Sequence, residues 1–403
     1  MRPIRKSLKP IAYVILTSLF LTGSGCMTAA YRGNPVPEAL GNEVQVDGIP
    51  YARVWGDERL PYEEKWLAAS EEKLATYFSG IMNREHNYLA LSGGGAKGAF
   101  GAGLLAGWTA TGARPEFTIV TGISTGSLIA PFAFLGPDYD DELKAVYSQY
   151  STDDMVKEKK LRQIIRNDAV LNVDPMKKIL AHYYNEDLVD AIARESRKGR
   201  SLLIGTTNLD AGRPVIWDIG VIAESHHPER VELIQSIILA SCSIPGGFPP
   251  VLFEVEANGQ TYDEMHVDGG CTNQVFLYPA EMDWPRLLDK LKVKTMPTTY
   301  VIRNARFESN WVSVKPRLAS IAGRAISSLI RTQGIGDMYR IYLQTKRDGL
   351  DFNLAYIPAE FTKKSKETFD LEIMKELYAL GYEMASKGYP WQKVPPGFEK
   401  LKD

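Results

Sequence analysis

The sequence predicts an α/β protein with a three-layer α/β/α arrangement, in which helices cover both faces of a mostly parallel central sheet. Short apolar segments alternate with longer segments of helical periodicity, which is the pattern of parallel strands joined by crossover helices. Two glycine-rich turns, at 92–98 and 122–126, each follow an apolar segment and precede a helix-compatible one. Hydrophobic residues make up 44% of the 403 residues, which allows a large buried core.

The predicted elements follow one another along most of the chain. Residues 28–50 are rich in proline, glycine and asparagine without a clear period, which is typical of a tether. We predict strands near 88–91, 117–121, 201–207, 214–218, 266–268, 299–303 and 353–357. We predict helices over 61–80, 128–134, 143–150, 174–184, 231–241, 316–342 and 370–387, several of which start near a proline or end at a glycine.

The helix expected after the first glycine-rich turn consists of small residues, including Gly98, Gly101 and Gly103. Each glycine in a helix costs up to about 1 kcal/mol relative to alanine. So many glycines predict that another backbone passes very close to this helix.

The helix predicted over 316–342 is both apolar and basic. One side carries Leu318, Ile321, Ala325, Leu329 and Ile330, and another carries Arg317, Arg324 and Arg331 at intervals of seven residues. Such a helix could rest on a membrane surface. Because the chain is net acidic, we favour a helix packed against the core with a solvated arginine face.

The N-terminus has the order of a secretory signal. Basic residues precede an apolar run over 11–21, and Gly23, Ser24 and Gly25 then lead to Cys26. The Ser-Gly-Cys ending resembles a bacterial lipobox, in which the cysteine is lipidated, although Gly23 stands where leucine is usual. We expect a signal peptide over 1–25 and an exported protein on the periplasmic side of the envelope, anchored in the membrane as a lipoprotein. An ordinary cleaved signal is the alternative.

Charge and cysteine content exclude some classes of protein. The formal net charge is −2, which leaves no electrostatic footprint for nucleic acid. Beyond Cys26 the chain has only Cys242 and Cys271. Two cysteines do not make a disulfide framework; they could pair, but we favour two small buried hydrophobic side chains.

Residues Gly122-Ile123-Ser124-Thr125-Gly126 fit the nucleophile elbow G-x-S-x-G. In that motif, glycines permit a strained strand-to-helix turn that projects the serine hydroxyl. An apolar segment precedes the motif and a helix-compatible one follows it. Ser124 is therefore the candidate nucleophile, and it needs a base.

The five histidines offer no obvious base for this serine. They are His86, His182, His226, His227 and His266, so none follows Asp268 in the chain. The order serine, acid, histidine of α/β-hydrolases is therefore impossible through Asp268. We expect the histidines to be solvated or hydrogen-bonded in structural roles.

Asp268-Gly269-Gly270 is the better candidate for the acidic group. An aspartate at the end of a strand, followed by two glycines, presents its carboxylate at the edge of the sheet, where ligands bind in open α/β folds. Taken alone, an Asp-Gly turn would explain these residues equally well. The first glycine-rich turn supplies a third component, because Gly93-Gly94-Gly95 can aim consecutive N–H groups at an oxyanion.

Together these motifs make the chain resemble the patatin-like phospholipases, which are serine lipid acyl hydrolases. Gly93-Gly94-Gly95-Ala96-Lys97-Gly98 is similar to the family's oxyanion loop, Gly122 to Gly126 to its elbow, and Asp268-Gly269-Gly270 to its acid motif. The segment Ala240 to Pro245 is similar to the one that precedes the acid. The resemblance covers about Asn87 to Met282. Lys97 stands where the family more often has arginine.

The resemblance implies a patatin-like fold and a Ser–Asp dyad. Ser124 would attack a lipid ester, Asp268 would accept its proton, and N–H groups of the loop Gly93, Gly94 and Gly95 would hold the oxyanion. No catalytic histidine, metal or cofactor is implied, and the expected partners are a lipid or lysolipid and, through the anchor, a membrane surface. We expect a tether and helical extension over 26–85, the catalytic domain over 86–282, and a helix-rich part over 283–403 packed on it.

Three alternatives remain at this point. A lipid transacylase would use the same dyad with an alcohol as acyl acceptor, and an inactive lipid-binding relative would use none of it. Gly93 to Gly98 also satisfies G-x-G-x-x-G, the fingerprint of a dinucleotide-binding module. That module needs an acidic residue at the end of the second strand, whereas Glu116 precedes that strand.

Overall fold

The structure is a computed structural model that describes residues 32–158 and 169–398. Its strands are β1 (Arg53–Trp55), β2 (Asn87–Leu91), β3 (Ile119–Ile123), β4 (Lys157–Glu158), β5 (Leu171–Asn172), β6 (Ser201–Asn208), β7 (Arg213–Asp218), β8 (Val251–Ala257), β9 (Gln260–Asp268), β10 (Thr298–Arg303) and β11 (Asp351–Tyr356). Its helices are α1 (Glu63–Ala68), α2 (Glu71–Tyr77), α3 (Gly98–Ala110), α4 (Thr125–Leu135), α5 (Asp140–Ser148), α6 (Thr152–Met155), α7 (Asp174–Tyr183), α8 (Glu186–Ser196), α9 (Ile219–Glu224), α10 (Arg230–Ser241), α11 (Trp284–Lys290), α12 (Leu318–Asp348) and α13 (Leu371–Ser386).

A mixed sheet runs through the described residues in the order β1-β7-β6-β3-β2-β10-β11. The five strands from β6 to β11 in this order are parallel, and β1 and β7 are antiparallel to their neighbours. The hairpin of β8 and β9 joins the sheet where β9 pairs with the end of β6. The parallel centre places the carboxyl ends of β2, β3 and β10 at one edge, where the two glycine-rich turns lie.

Alternate residues of the central strands face two different cores. In β2, Leu89 and Leu91 pack with α3, α4, α8, α10 and α13 on one face of the sheet. Tyr88 and Ala90 pack with α1, α11 and the second half of α12 on the other face. Because side chains alternate across a strand, this segregation gives the three-layer α/β/α fold that the sequence predicts.

Helix α3 lies against α13 at backbone distance. A Cβ atom on Gly103 would stand 2.0 Å from the carbonyl oxygen of Tyr378, and one on Gly107 would stand 2.3 Å from that of Tyr382. Any side chain at these two positions would therefore clash with main-chain atoms. The prediction of another backbone close to this helix is confirmed, and α13 supplies it.

The N-terminal part differs from the prediction in two ways. The predicted tether is packed from residue 32 onward, with Val44 and Ile49 buried and Gln45 hydrogen-bonded to Glu256 of β8. The helix predicted over 61–80 is two helices, α1 and α2. Ser70 separates them, because its hydroxyl accepts a hydrogen bond from the Lys73 amide and caps the second helix.

The C-terminal part contributes to the sheet and does not only pack on it. Strands β10 and β11 follow residue 282, yet β10 pairs with β2 in the middle of the sheet. Helix α12 is longer than predicted, and none of its described residues before Gly334 is buried, so its first half does not pack against the core as we expected. Within the described ranges, no helix is long and apolar enough to cross a membrane.

Candidate active site

Ser124 occupies a strained turn between β3 and α4. Its backbone has φ 54° and ψ −126°, a conformation that non-glycine residues rarely adopt. The Ser124 amide donates to the hydroxyl oxygen of Ser241 at 2.9 Å, and that hydroxyl donates to the Gly205 carbonyl at 2.7 Å. Gly126 lets the turn close, because a Cβ there would stand 2.3 Å from the Leu91 oxygen. These contacts fit the predicted elbow.

Strand β9 brings Asp268 to the same point of the sheet. Gly205 of β6 pairs with Ile123, and the next residue, Thr206, pairs with Asp268. The ends of β3 and β9 therefore meet head to head along one edge of β6. As a result, two residues far apart in sequence line the same cleft, and the Ser124 hydroxyl is close enough to the Asp268 carboxylate to lower its pKa.

Burial dominates the electrostatics of Asp268. It raises the pKa of Asp268 from 3.8 to about 6, and a hydrogen bond from the Gly270 amide and the nearby Ser124 hydroxyl oppose that rise. The Gly270 amide lies 2.7 Å from the Asp268 Oδ1 atom. At neutral pH the carboxylate is ionised and basic enough to accept a proton.

The first glycine-rich turn lies directly beside Ser124. A Cβ on Gly93 would be 3.3 Å from the Ser124 Cβ, so the two turns are in direct contact. The Gly93 amide donates to the Gln274 carbonyl at 2.9 Å, so it is already engaged. In the described residues the amides of Gly94 and Gly95 have no hydrogen-bond acceptor. Of the three glycines, only Gly94 and Gly95 therefore remain candidate donors to an oxyanion.

The other predicted motif residues surround this centre. A Cβ on Gly98 would meet the Thr125 hydroxyl, and one on Gly269 would stand 2.5 Å from the Gly205 oxygen. Gly270 caps the Asp268 carboxylate, as described above. Lys97 lines the cleft, where the surrounding protein partly desolvates its ammonium group although the residue as a whole is exposed; this desolvation, with nearby Arg306 and Arg303, lowers its pKa.

Asn304 is a supporting residue that we did not predict. Its amide group donates to the Ser92 carbonyl at 3.0 Å, and its Oδ1 accepts from the Gly101 amide at 3.1 Å. The Asn304 backbone amide also donates to the Ser92 hydroxyl at 2.8 Å. Asn304 thus ties the glycine-rich turn to the end of β10. A polar residue directly after a buried strand is a signal that could have identified it.

Two spaces of different character meet at Ser124. A cleft of about 840 Å³ contains Ser124, Asp268 and the glycine-rich turn. Apart from Asp268, its charged lining consists of one acidic side chain, Glu308, and five basic ones: Lys97, Arg303, Arg306, Arg324 and Arg331. A narrow cavity that also borders Ser124 is lined mainly by apolar side chains, including Leu128, Met155, Met176, Phe248, Phe369 and Met374.

The histidines have the structural roles that we expected where the structure shows their contacts. His266 is buried on β9 and bonded to Thr206 and Glu264, and His86 is bonded to Tyr88 and to the Ile81 carbonyl. No hydrogen bond links either of them to Ser124.

The two cysteines are free and differ in environment. Cys242 is buried, as predicted, whereas Cys271 is exposed because it closes the turn after Asp268 and lines the cleft. Cys26 lies outside the described residues, so export and lipidation stay predictions. Among the described residues no group of three or more histidine, cysteine, aspartate or glutamate side chains could hold a metal ion.

Comparison with known proteins gives one family. Residues 89–281 match the family model described as patatin-like phospholipase. Among solved structures, the chain is similar to VipD from Legionella pneumophila, with 12% sequence identity and a TM-score of 0.37, over 76% of this chain and 68% of that one. No curated protein matches the sequence.

Proposed function

Residues 89–281 form a patatin-like phospholipase domain, and from this premise we propose that the protein is a serine lipid acyl hydrolase acting through Ser124 and Asp268. The observation that carries the proposal is the meeting of β3 and β9 along β6, which brings Ser124 and the buried Asp268 into one cleft. Burial raises the pKa of the Asp268 carboxylate to about 6. A nucleophile placed beside a base of suitable pKa is the minimum that acyl transfer requires.

The proposed reaction has two steps. The Ser124 oxygen attacks the ester carbonyl carbon while Asp268 accepts the hydroxyl proton, and the Gly94 and Gly95 amides bind the resulting oxyanion. Asp268 then gives its proton to the departing alcohol, which leaves an acyl-serine. A water molecule loses a proton to Asp268, attacks the acyl-serine and releases the fatty acid, and Ser124 recovers the proton.

The two spaces at Ser124 support a lipid ester as the substrate. The narrow cavity is apolar and suits an acyl chain. The cleft is lined by five basic groups against one acidic group, Glu308, besides Asp268, and this excess of positive charge suits a polar, phosphate-bearing alcohol. A scissile ester held between them would have its carbonyl carbon beside Ser124. A phospholipase A or lysophospholipase reaction fits this division best.

We expect Ser124→Ala and Asp268→Asn each to lower hydrolysis of a short-chain nitrophenyl ester by roughly 10³-fold or more. Circular dichroism should show that both variants keep the wild-type fold. A fluorophosphonate probe should label wild-type protein at Ser124 and should not label Ser124→Ala. Substantial activity in either variant, or labelling of another residue, would contradict the proposed dyad.

The transacylase alternative differs only in what accepts the acyl group. Incubation with a bacterial lipid extract, followed by mass spectrometry, would separate the two. Free fatty acid and lysolipid as products indicate hydrolysis. New acylated alcohols, formed with little free fatty acid, indicate transfer.

A further inference from the structure

The segment from Trp311 to Ile330 joins a stretch without regular secondary structure to the first half of α12, and none of its described residues is buried. The second half of α12 behaves differently, because Met338 and Ile341 are fully buried in the core. One continuous helix is therefore anchored at its end and projects from the fold at its start.

This projecting segment exposes large apolar side chains. Trp311 is 96% exposed, Leu318 86% and Leu329 70%. The exposed apolar set comprises Trp311, Val312, Val314, Leu318, Ile321, Ile326, Leu329 and Ile330. Soluble monomers rarely expose so many large apolar groups together, and such a patch marks an interaction surface.

The same segment carries only positive charge. Residues 309–336 contain Lys315, Arg317, Arg324 and Arg331 and no acidic residue, in a chain whose net charge is −2. Arg324 and Arg331 donate to the carbonyls of Asn310 and Phe307. Among the described residues, no carboxylate forms an ion pair with any of the four. Positive charge that no ion pair neutralises therefore accompanies the exposed apolar side chains, and the acidic residues that flank the range, Glu308 and Asp337, pair with Arg306 and Arg340.

The segment also borders the candidate active site. Arg324, Ile326 and Leu329 line the cleft that contains Ser124 and Asp268. Whatever binds the projecting half of α12 would lie at the entrance of that cleft.

We propose that Trp311 to Ile330 is a docking surface for an anionic lipid bilayer. The helix would lie in the interface, with its apolar side chains at the acyl boundary and its basic groups at the level of the phosphates. The choice of a lipid as the occupant rests on the proposed function. A second copy of the chain fits less well, because its own positive segment would face this one.

Vesicle binding can test this surface separately from catalysis. Every protein in the binding assay carries Ser124→Ala and Cys26→Ala, so neither lipid hydrolysis nor lipidation of Cys26 contributes. Sedimentation with vesicles of phosphatidylcholine alone is compared with vesicles that also contain phosphatidylglycerol. We expect binding to the anionic vesicles to be on the order of tenfold tighter and to weaken as salt is added.

Two variants remove the proposed contacts without touching the cleft. Trp311→Ser/Leu318→Ser/Ile321→Ser removes apolar groups, and Lys315→Glu/Arg317→Glu reverses charge. Each should weaken binding to anionic vesicles by roughly tenfold or more. In the serine-intact protein each should hydrolyse a soluble short-chain ester at the wild-type rate.

Matched controls change similar residues elsewhere. Tyr77→Ser/Leu252→Ser/Met296→Ser removes exposed apolar groups, and Lys144→Glu/Lys294→Glu reverses exposed charge. Both should leave vesicle binding unchanged. Equal losses in the controls, no loss in the test variants, or no vesicle binding at all would overturn the docking surface. So would a dimer that the apolar variant dissociates, because a second copy would then cover the face.

The two proposals fail in different ways. Vesicle binding without hydrolysis of any ester would contradict the proposed function and leave the docking surface standing. Ester hydrolysis without vesicle binding would contradict the docking surface and leave the function standing.

Discussion

At the scale of single residues, Asp268 is subject to two opposing requirements, burial and ionisation. It lies at the end of β9 with 5% of its surface exposed, and burial disfavours its charge. In the proposed dyad it must nevertheless be ionised to accept a proton. The Gly270 amide donates a hydrogen bond to the carboxylate, and the Ser124 hydroxyl lies near it; both limit the rise of the Asp268 pKa. The pKa of about 6 is the balance of these effects, and it suits a base that works near neutral pH.

This balance predicts the pH dependence of hydrolysis. Since only the deprotonated Asp268 can accept a proton, kcat/KM should fall below an apparent pKa of about 6 and level off above it. The measurement is the rate on a soluble ester between acid and mildly alkaline pH, with circular dichroism to confirm that the fold survives. A decline centred at 3.8, the ordinary value for aspartate, would contradict the assignment.

Asp218 provides a matched control for that measurement. Burial also raises the pKa of Asp218 to about 6, but its carboxylate caps α9 by accepting from the Val221 amide. Asn caps helices as well as Asp does, so Asp218→Asn should keep its fold and the same acidic limb. Loss of the limb in Asp218→Asn would assign it to the wrong carboxylate.

The sequence identifies the residues of the candidate site that belong to motifs, and it misses those that support them. Ser124 and Asp268 are recognisable because each stands in a glycine-rich turn at a strand end. Ser241 lies in the segment 240–245 that resembles the one before the acid, but that resemblance assigns Ser241 no role, and Asn304 belongs to none of the motifs. Their roles depend on contacts with Gly205 and Ser92 from other parts of the chain. Such contacts exist only once the strand order is known.

At the scale of elements, the glycines of α3 lower its intrinsic helix stability but allow close packing against another helix. Gly103 and Gly107 lie against the backbone of α13, and Gly381 of α13 returns the contact, because a Cβ there would stand 2.2 Å from the Phe100 oxygen. The small surfaces let two helices approach until main-chain atoms touch. Since α3 begins at the glycine-rich turn, this packing also positions the candidate oxyanion donors.

Gly103→Ala should therefore destabilise the protein by about 3 kcal/mol, because the new methyl group meets the Tyr378 carbonyl and one helix must move. Gly323→Ala is the control. It lies in the projecting half of α12 with nothing within 4 Å of its Cβ position, so alanine should be neutral or stabilise by up to about 1 kcal/mol. Urea unfolding measures both. Equal effects of the two substitutions would show that helix propensity, not contact, decides the outcome.

The hairpin of β8 and β9 is the element that the sequence could have revealed and our prediction omitted. Asn258 and Gly259 join the two strands with φ of 54° and 72°, and Asn-Gly is the strongest short signal for such a turn. We predicted only 266–268 as a strand. The hairpin matters because its second strand, β9, places Asp268 beside the end of β6.

At the scale of the whole molecule, the sheet extends beyond the residues that the family model matches. The family model ends at residue 281, but β10 and β11 lie beyond it and complete the parallel sheet. The sequence predicted both strands and not their place, because strand order depends on long-range pairing that local patterns do not encode. Our prediction that the first half of α12 packs against the core was wrong for a related reason. An apolar stripe indicates burial against something, and the sequence does not say whether protein or lipid covers it.

The continuity of the sheet predicts that residues 32–282 do not fold alone. Without the later chain, β2 would lose its partner β10, and Asn304 could no longer hold the glycine-rich turn at Ser92. The fragment would also expose Tyr88 and Ala90, which pack against residues such as Val301 and Phe352. We expect an aggregated or molten fragment without ester hydrolysis, whereas residues 32–398 should unfold cooperatively in urea. A soluble 32–282 fragment that unfolds cooperatively would contradict this prediction, because the C-terminal strands would then not be required for folding. Failure of the fragment to fold would show that residues beyond 282 belong to the same folding unit.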